Sequence, residues 1–163
     1  MNKLLTIALG AACALGSFQV HASEQSNCSA AAGTFLTGTV VSGPTFQAAS
    51  TTLKGVKLSH THVKLHADQD GKTYDVAMDN VFAVDYVKNA SAIPKSLATI
   101  KQNDRLELCG EPYTSGVGIH WVHTNCNAAP KTTAPNGWVK LFISGSSVGA
   151  NLERSQTYCY LWN

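Results

Sequence analysis

Apolar and polar residues alternate with a period of two in several short stretches separated by turn residues, the pattern of half-buried β-strands. Ser23 to Gly33 is small and polar and reads as a loosely held arm up to Cys28. Thr34 to Ser42 is rich in β-branched residues and stops at Gly43-Pro44, which predicts a first strand with a breaker behind it. Thr45 to Lys54 is rich in Ala, Ser and Thr, has no period, and reads as a loop. Val56 to His66 predicts a second strand that changes phase. Val56 and Leu58 share one face, Val63 and Leu65 the other, so a bulge across His60-Thr61-His62 is expected to restore a single buried face. Asp68-Gln69-Asp70-Gly71 is a turn, and Lys72 to Val84 returns as the third strand.

The alternation then lapses. Pro94 opens a Lys-Ser-Leu-Ala-Thr-Ile run compatible with one or two helical turns. Leu106 to Tyr113 and Val117 to Thr124 predict a hairpin around Thr114-Ser115-Gly116. After a Pro- and Asn-containing loop, Trp138 to Ser144 predicts a further strand, and Gln156 to Trp162 a short aromatic tail. Three strands, a short helix, two strands and an appendix is the element order of an OB-like five-stranded Greek-key barrel with a helix between strands 3 and 4. An all-β sandwich is the rival architecture.

The N-terminus changes the domain count. Lys3 followed by the apolar run Leu4 to Leu15 and Val20-His21-Ala22 matches a Sec-type signal peptide cleaved before Ser23. The run is too short for a membrane span. Lipidation at Cys13 is the competing reading, but Gly10 sits where a lipidation site normally has a Leu-like residue. The expected organisation is a signal peptide over 1–22 and a single β-barrel domain over 23–163, periplasmic or secreted, with no transmembrane segment in the mature chain.

Export gives the cysteines meaning. Cys28, Cys109, Cys126 and Cys159 follow the cleavage site, and an even number in an oxidising compartment implies disulfides. Of the three connectivities, Cys28–Cys159 with Cys109–Cys126 is expected, tethering the C-terminal extension to the domain's start. No CxxC spacing suggests structural zinc.

The whole chain carries a formal net charge of +2 and loses Lys3 on cleavage. A near-neutral exported chain disfavours nucleic acid and polybasic membrane attachment, leaving a sugar, a peptide or a protein partner as the expected ligand.

Candidate chemistry concentrates in the hairpin. Glu111, His120 and His123 are the catalytic candidates, and a Glu–His pair across the hairpin can serve as an acid–base couple or as a structural hydrogen bond. The odd spacing of His120 and His123 puts them on opposite faces of a regular strand. Even spacing lets His60, His62 and His66 share a face, so His60, His62, His120 and His123 form a possible zinc or copper set. Glu107 and Glu111 lie about 13 Å apart on a regular strand, too far for paired carboxylates, and Glu107 reads as a solvated charge. Tyr113, Trp121 and Trp138, with Tyr74, are candidates for an aromatic ligand platform. Ser115, a histidine and Asp104 lack a nucleophile elbow and do not make a hydrolase triad.

Gly110-Glu111-Pro112-Tyr113, Gly118-Ile119-His120-Trp121-Val122-His123 and Gly137-Trp138 together resemble a small bacterial family of exported proteins known as a domain of unknown function. Its pattern runs Gly-Glu-Tyr, then Gly-Val-Ile-His-Trp-Thr-His-His-Asp-Pro, then Gly-Trp. Asn80, Pro94 and Asn103-Asp104 sit in comparable upstream places, so the resemblance covers roughly 79–140. Thr124 and Asn125 stand where that pattern has its second His and its Asp. The resemblance implies export and an OB-like barrel, and no activity. The expected function is an exported, disulfide-stabilised binding module; the alternatives are a metal-dependent or histidine-based hydrolase and a secreted effector or toxin subunit.

Overall fold

The computed structural model describes residues 16–162, with side chains from residue 23 onward; most of the expected signal peptide lies outside the described residues. The chain is mainly β. Helix α1 spans Gly16–Ala30 and is followed by β1 (Thr34–Gln47), β2 (Thr52–Leu53), β3 (Val56–Lys57), β4 (His60–Ala67) and β5 (Thr73–Asp79). Then come β6 (Arg105–Pro112), β7 (Gly118–His120), β8 (Trp138–Ser144) and β9 (Ser147–Val148). A seven-stranded sheet has the order β1-β4-β5-β7-β6-β8-β9, and β2 and β3 form a separate ribbon.

Only β5 and β7 run parallel within the large sheet, through Asp75↔Gly118 and Val76↔Ile119. β1 is long enough to serve two neighbours. Its first half pairs with β6 from Thr34↔Gly110 to Thr39↔Arg105, and its second half with β4 as far as Gln47↔His60. The pairings therefore run from β1 through β4, β5, β7 and β6 and return to β1. Two register shifts bend β1 between Val40 and Thr45, around Gly43 at φ 101°. Near the crossover of its two partners sits Gly38, where a Cβ would collide with the His66 carbonyl oxygen. Gly38→Ala is expected to lower stability by about 1–3 kcal/mol, read as a lower denaturant midpoint at unchanged slope.

The alternation of β4 is clean: Thr61, Val63, Leu65 and Ala67 are buried, while His60, His62, Lys64 and His66 are not. No bulge is needed at His60, because the phase change marks the end of one strand and the start of another. Val56 belongs to β3 and packs with Val81, Phe82 and Leu161 in a small second cluster. The main core gathers Leu36, Val40, Leu65, Met78, Leu97, Ile100, Leu106, Leu108, Ile119 and Val139.

Three further expectations are corrected. The helix lies before the first strand, not between the third and fourth; that interval holds only short 3-10 turns at Asn80–Phe82 and Leu97–Thr99. The segment from Ser23, expected to be a loose arm, is helical to Ala30. Its end is closed by Ala32 N–H to Ser29 O and Gly33 N–H to Cys28 O, with Ala32 at φ 60°, the paired bonds that satisfy a helix's last carbonyls. The disulfides are Cys28–Cys109 and Cys126–Cys159, not Cys28–Cys159 and Cys109–Cys126. Register explains the first: pairing Phe35 with Cys109 brings the end of α1 over β6. The C-terminal segment is disulfide-tethered as expected, but to the loop after β7. Two disulfides fit an oxidising compartment, and no helix among the described residues is long and apolar enough to cross a membrane.

Candidate functional site

The outer face of β4, β5, β7 and β6 carries a connected polar network. Because Lys64 pairs with Asp75 in register, the even positions of β4 bring His62 and Lys64 beside that carboxylate. His62 Nδ1 lies 2.9 Å and Lys64 Nζ 3.1 Å from it, and the Tyr113 hydroxyl donates to it at 2.9 Å from the end of β6. Burial alone would raise the Asp75 carboxyl, but the bonds from Lys64 and Tyr113 and the neighbouring His62 outweigh it and hold the group below the usual range. The same arrangement pushes the Tyr113 phenol up, first by burial and then by the adjacent carboxylate. Next to Tyr113, Glu111 pairs with His120 across β6 and β7, with Nε2 to Oε2 at 3.5 Å. The Tyr113 and His120 rings meet edge to face at 5.4 Å.

His60 borders this network, its ring 6.1 Å from that of His62. Burial, then His62 and His120, lower its pKa. His66 is exposed further along the strand. Although His60, His62 and His120 share a neighbourhood, no group of three or more His, Cys, Asp or Glu among the described residues is arranged to hold a metal ion.

The second half of the predicted hairpin is shorter than expected. β7 stops at His120, and Trp121 takes φ 53°. That turn carries His123 inward, away from His120. The His123 ring lies flat on Phe82 at 3.8 Å and 8°, with Trp121 at 5.0 Å from it. Trp162 stacks on Phe82 in turn at 5.1 Å. His123 is 4% exposed, and burial drives its pKa down to about 4 against the weaker opposing pull of the Thr124 carbonyl. Burial thus favours the uncharged imidazole at neutral pH, which does not suit a cationic role.

Among the described residues, no ring contact joins Tyr74, Tyr113, Trp121 and Trp138 to one another. Trp138 stands on β8, where its indole N–H donates to Glu107 Oε1 at 3.2 Å. Tyr74 donates to Asp70 at the turn. Glu107 is fully buried, not solvated. Lys140 Nζ bridges it at 3.3 Å to Glu24 of α1 at 3.0 Å, and packs over the Trp138 ring at 4.8 Å. This cluster docks the helix on the sheet. Burial raises the Glu107 pKa, and Lys140 opposes it.

Sequence reasoning missed Asp75, Phe82, Trp162 and a second pair of acids. The signal for Asp75 was present, as an outward position between Tyr74 and Val76. Nothing local marks Asp79 and Glu153. The fully buried Glu153 accepts the Asp79 backbone N–H on Oε2 at 3.1 Å, while Asp79 Oδ1 and Glu153 Oε1 are buried with no hydrogen-bond partner. Burial pushes Asp79 up to about 7. Burial, and then Asp79, push Glu153 well above the usual range.

Comparison with known proteins returned no matching family model, no matching curated protein and no matching solved structure.

Proposed function

We propose that this chain is an exported binding module built on an OB-like, five-stranded Greek-key barrel made of β1, β4, β5, β7 and β6. The reading is supported by the return of strand pairing to β1, the single parallel pair, and two disulfides in a chain with a signal-like N-terminus. The resemblance of residues 79–140 to an exported family fits it. The ligand face is the outer surface of β4 to β7, and the observation that carries this is Asp75. One carboxylate collects His62, Lys64 and Tyr113 outside the core, with Glu111 and His120 beside it. Donors and acceptors alternate across this face within a few ångströms. Such a surface matches a partner rich in hydroxyls or amides, a sugar or a peptide, better than a phosphate backbone.

The test is a glycan and peptide array probed with protein expressed from the full chain. Tyr113→Phe and Glu111→Gln each remove a polar contact while keeping shape. Each is expected to weaken binding to the ligand found by about tenfold, with the unfolding midpoint moving little. An array without hits, or hits indifferent to both variants, refutes the face.

A further inference from the structure

Trp121 carries two local costs. Its left-handed backbone is unfavourable for a bulky side chain. Its indole N–H is buried with no partner, although buried donors in native proteins are almost always satisfied. Trp121 also lines a cavity of about 170 Å³ together with Phe82, His123, Asn125, Cys126 and Trp162.

His123 supplies the complementary group. Its Nδ1 lies 2.7 Å from the Thr124 carbonyl oxygen. A carbonyl only accepts, so Nδ1 bears the hydrogen and Nε2 keeps a lone pair. Burial holds the ring neutral down to about pH 4. Trp121 and His123, which both line the cavity, therefore bring one donor and one acceptor on rings 5.0 Å apart, beside a disulfide.

We propose that this pocket binds a hydroxylated aromatic ring, whose hydroxyl accepts from Trp121 Nε1–H and donates to His123 Nε2. A hydroxyl is the smallest group that both gives and takes a hydrogen bond, so one oxygen serves both nitrogens. The ring packs against the exposed Trp162, where offset or edge contacts between aromatic rings are favourable. The size agrees: an apolar cavity of about 150 Å³ holds a benzene molecule. The site is separate from the polar face, since it opens beside the C-terminal turn and uses neither Asp75 nor Tyr113. Its failure leaves the binding-module reading standing.

The probes are p-cresol, toluene and N-acetyltyrosinamide, titrated into the full chain while the indole N–H signals of its three tryptophans are followed by NMR. p-Cresol is expected to shift the Trp121 signal saturably and to bind about tenfold more tightly than toluene, which lacks the hydroxyl. Trp121→Phe keeps an aromatic ring, removes the donor but not the His123 acceptor, and is expected to reduce that preference. Tighter binding of N-acetyltyrosinamide than of p-cresol identifies the source as a tyrosine side chain on a peptide; the reverse identifies a free phenol. Equal affinity for p-cresol and toluene, or a Trp121 signal that p-cresol does not move, overturns the proposal. If Trp121→Phe does not fold, Trp138→Phe and Trp162→Phe assign the Trp121 signal by elimination, and the cresol-to-toluene comparison on the unaltered protein still decides.

Discussion

Glu153→Gln is expected to make the protein more stable at pH 8, by about 3 kcal/mol, and to leave it nearly unchanged at pH 4. Two acids are buried together. Glu153 is fully buried, no cation among the described residues pairs with either carboxylate, and one oxygen on each is without a partner there. His60, opposite Asp79 on β4, and the exposed Arg154 are the nearest charged candidates in the sequence and register, and neither contributes to either carboxyl's shift. Both folded-state pKa values are raised, so the folded state holds protons that the unfolded chain gives up. The stability linked to those protons is complete below the unfolded carboxylate range. It is lost as pH rises, through about 7 for Asp79 and through the raised pKa of Glu153.

His123 works against this. Its folded pKa of about 4 lies below the ordinary imidazole value of about 6.5, so stability is lost as pH falls through that window. Between those limits the imidazole offsets one of the two carboxyls and leaves the other. The wild-type protein should therefore lose stability steadily from about pH 5 to pH 8. Glu153→Gln removes one titration and keeps an acceptor for the Asp79 N–H, so its profile should fall less steeply than that of the wild type over the same range. Urea midpoints across this range measure the difference. Parallel profiles for the two proteins mean that Glu153 does not titrate as its burial demands.

Most of the strand order was legible because β-alternation is a local signal. β4 shows why, with its odd residues buried and its even ones outside. The hairpin histidines show the limit. Odd spacing separates His120 from His123 on any regular strand, but the fate of His123 depends on the left-handed turn at Trp121. No propensity places a tryptophan there. Glu107 was misread because a carboxylate in a strand is normally solvated, and its partners come from α1 and β8, far along the chain. The cysteine pairing failed for the same reason. The expected connectivity joined residues that looked like natural ends and neighbours, whereas the actual one follows from β1 pairing with β6, a long-range contact.

That contact frames the other large effect. Replacing Cys28 and Cys109 with Ala is expected to cost about 4 kcal/mol, since the bond closes a separation of 81 residues. The Cys126–Cys159 bond closes 33 residues. Loop closure grows slowly with length, so on entropy alone the two removals should differ by less than about 1 kcal/mol. Packing separates them. Cys28 and Cys109 are wholly buried, and a Cβ on Gly33 would meet Cys109 Sγ, so the helix end is fitted around this bond. Its loss should release α1 locally, with the Glu24–Lys140 ion pair still tying the helix to the sheet. Loss of Cys126–Cys159 should instead loosen the C-terminal turn and the Trp162–Phe82 stack. Hydrogen exchange resolves the two. Faster exchange over 23–30 with β4 and β5 still protected is the expected signature of the first pair, and faster exchange over 156–162 that of the second. Uniform loss of protection in both variants would mean that each bond supports the whole sheet rather than the segment it ties down.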